Sequence, residues 1–196
     1  MYLFLTSKYW FKEWTMKLLL FAGPSVVVLI IFLLLLRYGV ASHIRFERVR
    51  AGVETVVYEE GQGDYRKSGE LMDSVYEKLI ETESIETYRG FGVFYDNPKN
   101  VPVDKLRYEA GCILDGPSEA TIKRLKTNFK VKNLKEGQCI TTEFPFKGKL
   151  SIVLGTLRVY PALSRYIREH NLPEAGPIME IYDVPGEKIV YRKYLE

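Results

Sequence analysis

The longest apolar pattern in the chain is an uncharged run from Leu18 to Leu36, bounded by Lys17 and Arg37. At a rise of about 1.5 Å per residue this run would form a helix about 28 Å long, close to the ~30 Å hydrocarbon core of a bilayer. Its second part is apolar on every face rather than along one stripe. The pattern therefore predicts a transmembrane helix over 18–36.

A cleaved signal peptide is the alternative interpretation of this run. Lys17 would then be the basic flank, and the small residues around Gly39 would supply the cleavage site, but signal-peptide cores are only ~7–15 residues long. The aromatic lead, which includes Trp10 and Trp14, favours an interfacial segment over 1–17 followed by a permanent anchor. Basic residues are slightly more numerous after the run, which favours a cytoplasmic C-terminal domain at the bacterial inner membrane or the ER membrane.

Beyond a basic juxtamembrane linker over 37–51, residues 52–196 carry the patterns of one folded domain. Leu71, Val75 and Leu79 recur at four-residue spacing, which predicts an amphipathic helix. Alternating segments rich in β-branched and aromatic residues around it predict strands. The predicted elements of the first half are a strand over 53–58, a helix over 66–83, and strands over 91–95 and 106–114.

The second half repeats this order of elements. It is predicted to contain a strand over 138–146, a helix over 149–170, and strands over 178–182 and 189–194. The turn-like Tyr95–Pro98 also matches Tyr182–Pro185, which favours an internal repeat. We therefore predict an α+β domain of two β-α-β-β units, about 52–116 and 137–196. They would form an antiparallel sheet with two helices on one face and a cleft at the seam between the halves.

Positive charge is concentrated beside the predicted anchor. Residues 1–50 carry seven Lys/Arg and two Asp/Glu, whereas the whole chain has a net charge of +3. This excess fits lipid headgroups rather than nucleic acid, because a duplex-binding protein needs a basic face on its folded domain. Cys112 and Cys139 are expected to be core thiols, and the two histidines are too scattered to build a zinc site with them. No metal and no cofactor are predicted.

Several motifs resemble the GyrI-like superfamily, which includes gyrase-inhibitory proteins and the effector-binding domains of multidrug-sensing regulators. These motifs are Phe94–Pro98, Val101–Lys105, Arg107–Gly111 and Glu180–Tyr182. With the anchor, the runs Thr142–Pro145, Leu150–Ile152 and Val159–Leu163 are similar to membrane-anchored ER-phagy receptors that carry a GyrI-like domain. Such receptors are described with a long acidic tail that binds their partners. This sequence ends at Glu196, just after its last predicted strand, so we expect a tailless relative.

The resemblance implies a ligand pocket with a glutamate on a central strand of the second half, and Glu180 is the matching residue. A carboxylate among aromatic rings loses hydration and regains favourable interactions by pairing with a ligand cation that stacks on the rings. The predicted ligand-binding residues are Glu180, Tyr182, Tyr108, Tyr95 and Phe144. Strand alternation alone leaves open whether Glu180 faces this pocket or solvent.

These observations predict a membrane-anchored domain that senses or sequesters cationic or aromatic organic molecules. Its expected partners are a small organic ligand and the lipid bilayer, without nucleic acid. One alternative is a receptor or adaptor of the ER-phagy type, which would have a protein partner. The other, implied by the resemblance, is a hydrolase of strained electrophilic rings with Glu180 as base and Tyr108 or Tyr95 as donor. Binding is favoured over catalysis, and no catalytic residue is assigned.

Overall fold

The computed structural model of the chain describes residues 22–134 and 136–195, and it divides into two compact units. In the first, which ends at Ala41, residues 22–37 form helix α1. Among the described residues, no helix combines the length and apolarity needed to cross a bilayer. The predicted interfacial segment over 1–17 and residues 18–21 of the predicted span lie outside the described residues. The transmembrane helix therefore stays a prediction.

The second unit, Ser42–Glu196, contains the sheet and the remaining helices. Its strands are β1 (Glu47–Ala51), β2 (Glu54–Gln62), β3 (Arg89–Phe94), β4 (Arg107–Leu114), β5 (Lys130–Leu134), β6 (Gly137–Pro145), β7 (Ile178–Asp183) and β8 (Lys188–Tyr194). Its helices are α2 (Ser68–Glu83), α3 (Glu119–Leu125) and α4 (Lys149–Glu169). All six predicted strands and both predicted helices of the domain are present, and the α+β class is confirmed.

Three elements were not predicted, and they lie outside the two repeated units. Strand β1 occupies part of the predicted linker over 37–51, so Glu47–Ala51 belongs to the sheet rather than to a linker. Helix α3 and strand β5 connect the two halves. Their sequences are short and highly charged, and they lack the apolar periodicity that identified the other elements.

The sheet is antiparallel throughout and has the order β1-β6-β8-β7-β3-β4-β2-β5. Each predicted β-α-β-β unit forms a block of three adjacent strands, and the blocks meet where β3 pairs with β7. The turn motifs that suggested the repeat are not equivalent in position. Tyr182 and Asp183 lie inside β7, whereas Tyr95 follows β3.

The sheet curls until its two edges meet. Ala51 pairs with Gly137, and Glu54 pairs with Leu134, so the ends of the β1–β2 connection are paired with the ends of the β5–β6 connection. Each connection is two residues long and spans at most ~11 Å between its flanking Cα atoms. In a flat sheet, the six strand steps that separate β1 from β2 would span ~29 Å. The short connections therefore require strong curvature.

An ion network on the concave face confirms this curvature. Glu54 on β2 binds Arg192 on β8 at 2.8 Å and Arg89 on β3 at 3.3 Å. Four strand steps separate β2 from β8, about 19 Å in a flat sheet. Beneath the network lies an apolar core of the concave face, formed by Val56, Phe91, Val93, Ile113, Met179 and Ile181.

Helices α2 and α4 lie on the other, convex face. A row of directly paired residues, which share a face, crosses the sheet: Val57, Cys112, Gly90, Tyr182, Ile189 and Phe144. The first of these pack with Val75 and Leu79 of α2, and the last pack with Val159 of α4. The prediction that both helices cover one face is therefore correct. Cys112 and Cys139 are free and buried, as expected.

Candidate ligand-binding site

Glu180 lies near the centre of the sheet on β7, on the face that the helices cover. Its direct neighbours are Gly92 on β3 and Tyr191 on β8. Only 3% of its surface is exposed, although ionised carboxylates are rarely buried without a cationic partner. Of the two orientations that the sequence left open, the structure has the buried one.

Two tyrosine hydroxyls satisfy the Glu180 carboxylate. Tyr160 Oη of α4 donates to Oε1 at 2.7 Å, and Tyr182 Oη of the same strand donates to Oε2 at 2.5 Å. No ion pair to Glu180 is present among residues 22–134 and 136–195. Burial raises the pKa of the Glu180 carboxyl above its ordinary value of 4.5, and the two hydrogen bonds offset part of that rise.

Aromatic rings surround this carboxylate. Tyr191 is buried edge-to-face against Tyr160, with 6.0 Å between ring centroids, and Phe146 lies 5.9 Å from Tyr182. Phe144 packs in the same apolar cluster. The Tyr191 hydroxyl is buried, and it finds no hydrogen-bond partner in the part of the chain that the structure describes. The site therefore combines one acidic group with several π faces and an unsatisfied hydroxyl.

Helix α4 approaches the sheet closely at this point because Gly155 lacks a side chain. A Cβ added there would collide with the Tyr191 hydroxyl and would lie 3.3 Å from Phe144 Cδ1. Pro161 does not interrupt α4, although it removes the backbone donor that would bind the carbonyl of Leu157. The helix is therefore continuous from Gly155 to Tyr160, and it holds the tyrosine hydroxyl over Glu180.

Between α2 and α4, the sheet beside Glu180 is lined by small residues. Gly90 is covered by the Met72 side chain of α2, with which an added Cβ would collide. Gly92 is covered by the ring of Phe94, whose Cζ would lie 3.0 Å from an added Cβ. Methionine adopts many rotamers at low cost. The part of the sheet that lies between α2 and α4 is therefore covered by side chains rather than by backbone.

The other two predicted site residues do not lie beside Glu180. Tyr108 packs over Gly61 and against Tyr65, with 5.8 Å between ring centroids. Tyr95 follows β3 and is 37% exposed. Partial burial and, to a smaller extent, a hydrogen bond to Glu109 raise the pKa of its hydroxyl. Of the predicted set, the structure brings together Glu180, Tyr182 and Phe144, whereas Tyr108 and Tyr95 lie elsewhere. The ligand-binding role of each residue stays a prediction.

Tyr95 and Tyr108 instead line a cavity of about 450 Å³ at the end of β2 and the start of β4. Its other lining residues are Glu60, Gly61, Gln62, Arg107 and Glu109. Glu109 is buried here but forms a close ion pair with Lys132, whose ammonium also lies 4.3 Å from the Tyr58 ring centroid. Unlike Glu180, this carboxylate already has a cation.

Sequence reasoning missed Tyr160 and Tyr191. Tyr191 alternates with Ile189 along β8, which indicates a shared face, but only the strand register places it opposite Glu180. Tyr160 lies inside the predicted helix over 149–170, immediately before Pro161. No local signal connects either residue with a carboxylate on another element.

Two curated proteins are similar to this chain in sequence. Testis-expressed protein 264 from Homo sapiens is 38% identical over 135 residues, and its Mus musculus homologue is 35% identical over 135 residues. Each match covers 65% of this chain but only 41% of the relative. The matched region therefore spans about two fifths of the length of those proteins.

The fold is also similar to a solved structure, the C-terminal domain of EcmrR. The TM-score is 0.53 at 10% identity, and the alignment covers 78% of this chain and 98% of that one. The family model described as the GyrI-like small molecule binding domain matches residues 54–191, which contain β2 to β7 and the first four residues of β8. The chain therefore belongs to the GyrI-like family of small-molecule-binding domains, as its motifs predicted.

Proposed function

We propose that this GyrI-like domain binds organic cations with aromatic or hydrophobic surfaces, and that Glu180 is the group that selects for positive charge. The observation that carries the proposal is a buried carboxylate whose described partners are two neutral phenols. A buried charge without a counter-ion is costly, and a ligand cation supplies one. The surrounding rings add cation–π attraction.

The ligand enters, in this proposal, at the seam between α2 and α4. Rotation of Met72 away from Gly90 and of Phe94 away from Gly92 would open space directly beside Glu180 without moving the sheet. The edge of a flat cation placed there contacts the Glu180 carboxylate, and the face of the cation contacts the Tyr182 ring. The unsatisfied Tyr191 hydroxyl would accept or donate a hydrogen bond to polar groups of the ligand.

Ligand binding is tested by titrating a cationic rhodamine ester into residues 42–196 and following fluorescence anisotropy. We expect saturable binding that Glu180→Gln weakens by roughly 30-fold or more, since removal of one partner of a buried charge pair costs about 2 kcal/mol or more. Fluorescein, which is anionic and of similar size, is expected not to bind. Equal affinity of the wild type and the Glu180→Gln variant would contradict the proposal.

Glu109→Gln is the matched control for this titration. Glu109 is a second buried carboxylate, but it is paired with Lys132 and lines the separate 450 Å³ cavity. We expect this variant to keep wild-type affinity for the dye. Loss of binding in Glu109→Gln with retention in Glu180→Gln would transfer the ligand site to the cavity at Tyr95 and Tyr108.

We also propose that the segment over 18–36 anchors the domain to a membrane with the domain on the cytoplasmic side. Nine consecutive apolar residues of α1, Val26–Leu34, are each about half exposed within the first unit, and an apolar surface of this extent is unfavourable in water. The anchor is tested by alkaline carbonate extraction of membranes from cells that express the full chain. Release of the chain into the supernatant would contradict it.

A receptor or adaptor role at the ER membrane is the second candidate, as the resemblance of the motifs to ER-phagy receptors implies. This role predicts a specific protein partner whose binding survives Glu180→Gln. Cross-linking of the full chain in ER membranes, compared between wild type and variant, separates it from a purely ligand-binding role. No cross-linked partner would count against it.

The hydrolase alternative needs revised residues. The predicted proton donors, Tyr108 and Tyr95, do not lie beside Glu180, whereas Tyr160 and Tyr182 do. The raised pKa of Glu180 suits a general base, but both carboxylate oxygens are occupied by tyrosine hydroxyls. A time course with an epoxide substrate tests this role, and an absence of turnover would remove it.

A further inference from the structure

The N-terminal half of α4 exposes an apolar stripe on the side opposite its packed face. Leu150, Val153 and Leu157 recur at three- and four-residue spacing, and their exposed fractions are 43%, 54% and 66%. The opposite side of the same turns, which includes Ser151 and Gly155, is buried against the sheet. The stripe therefore adds nothing to the core of this domain, and exposed apolar stripes of this kind mark binding surfaces.

The charge along this helix is mainly basic. From Lys147 to Arg168 the sequence contains five basic residues and no acidic one; Lys147 is paired with Glu187, and Glu169 lies at the C-terminal end of α4, away from the stripe. Lys149, at the start of α4, and Arg165, farther along the same helix, are both exposed. A helix with apolar residues on its outer side and mainly basic charges beside them matches the surface of an anionic bilayer, where such helices lie in the interface plane.

Residues 42–46, which precede β1, lie along α4 and reach the half that carries this stripe. Phe46 packs against Tyr166 with 5.0 Å between ring centroids, and the carbonyl of Ser42 accepts a hydrogen bond from Arg158 Nη2 at 2.7 Å. From Tyr166 to Arg158 the helix advances about 12 Å toward its own N-terminus. The segment from Ser42 to Phe46 therefore runs parallel to α4, and its first residue lies nearest the half that carries the stripe.

Very little chain separates this point from the predicted anchor. Only residues 37–41 lie between Ser42 and the end of the apolar run at Leu36. The six Cα–Cα steps from Leu36 to Ser42 reach about 22 Å at most. If the apolar run spans a bilayer, Ser42 lies within that distance of the membrane surface, and the Arg158 guanidinium, which is bound to Ser42, lies close to it.

We propose that the N-terminal half of α4 is a second membrane-contact surface, in which Leu150, Val153 and Leu157 enter the headgroup region of the bilayer that holds the anchor. Lys149 and Arg165 then lie at the level of anionic lipid headgroups. This inference depends on the proposed anchor but not on the proposed ligand. Helix α4 would contact lipid on one side and present Tyr160 to Glu180 on the other.

The test uses the full chain in phosphatidylcholine vesicles, with or without phosphatidylserine. A single cysteine replaces Leu157 and carries the polarity-sensitive fluorophore NBD; Cys112 and Cys139 are buried and do not compete for the label. Spin-labelled headgroups serve as quenchers. In vesicles with phosphatidylserine we expect the NBD emission to shift to the blue, and we expect the quenchers to reduce its intensity roughly twofold or more. The double variant Lys149→Glu with Arg165→Glu should reverse most of the blue shift and most of the quenching.

Val103→Cys is the matched control, because Val103 is 56% exposed in a short 3-10 helix away from α4. Its label should keep a water-like emission in every vesicle. If vesicles carry the chain in flotation but the label at 157 behaves like the label at 103, the inference is overturned and the anchor stands. A blue shift without lipid quenching means a protein contact and also overturns it. A chain that does not float overturns both the anchor and this inference, whereas dye binding by residues 42–196 is unaffected.

Discussion

The hydrogen bond from Tyr160 to Glu180 should contribute to stability in a pH-dependent way. It joins α4 to β7 at 2.7 Å, and Glu180 is buried. Tyr160→Phe keeps the ring that packs against Tyr191 and removes only the hydroxyl. The variant therefore isolates one donor to a buried carboxylate.

The expected loss follows from the charge of the acceptor. Hydrogen bonds to charged groups contribute about 1.5–3 kcal/mol to the free energy of unfolding, whereas those between neutral groups contribute about 0.5–1.5 kcal/mol. We therefore expect Tyr160→Phe to lose about 1.5–3 kcal/mol when Glu180 is ionised. For a domain of this size, such a loss lowers the melting temperature by roughly 3–10 °C.

The sign of the pH dependence is fixed by the raised pKa of Glu180. Because its folded-state pKa lies above the ordinary value of 4.5, the unfolded chain releases this proton first as the pH rises. Ionisation of Glu180 therefore favours unfolding, and its contribution to stability falls as the pH rises from below 4.5 to above the raised pKa. Removal of a donor to the carboxylate raises that pKa further, so the deficit of Tyr160→Phe should grow over this pH range.

Urea denaturation of residues 42–196, followed by circular dichroism at a series of pH values, measures this deficit. Tyr88→Phe is the control, because Tyr88 also donates to a glutamate, Glu86, at 2.9 Å but is 55% exposed. Exposed pairs of this kind contribute little. A deficit below about 0.5 kcal/mol for Tyr160→Phe, or one that is independent of pH, would refute the reasoning from burial.

Three further predictions concern packing. Gly155→Ala should lower the free energy of unfolding by about 1–3 kcal/mol, because the added Cβ collides with the Tyr191 hydroxyl. Gly69→Ala in α2 is the control: its Cβ meets no atom within 4 Å, so the change should be neutral or stabilising. Urea denaturation of both variants tests this, and equal effects would contradict it. Lys193→Met should speed amide exchange in residues 174–178, because Lys193 Nζ donates to the carbonyls of Glu174, Ala175 and Gly176; unchanged exchange would show that the loop is held by other contacts. Burial raises the pKa of Cys112 to about 12, so both buried thiols should react with a disulfide reagent only after unfolding; reaction in the native protein would contradict the packing.

The binding proposal and the membrane-contact proposal meet on one helix. Helix α4 carries Tyr160 on its packed side and Leu157 on its exposed side, three residues apart. The dye titration uses residues 42–196 without the anchor, and the NBD experiment uses the full chain in vesicles. The two proposals can therefore fail independently.

The sequence by itself determined the repeated order of elements and the α+β class. Apolar periodicity is a local property, so spacing such as Leu71, Val75 and Leu79 identifies a helix before any tertiary contact is known. The motifs between Phe94 and Gly111, with Glu180–Tyr182, also identified the GyrI-like family, which the family model confirms over residues 54–191. Short charged elements such as β1 and β5 gave no such signal, because pairing with neighbouring strands rather than periodicity holds them in the sheet.

Only the tertiary structure decided which side chains share the site. Alternation along β7 says that Glu180 and Tyr182 share a face, but not which face the helices cover. The strand register places Tyr191 beside Glu180, and the close approach of α4 at Gly155 brings in Tyr160 from a distant part of the chain. Tyr108 lies two strands away, where its ring covers Gly61, and Tyr95 follows the end of β3. Contacts between distant segments depend on strand order, curvature and helix placement, which no local pattern encodes.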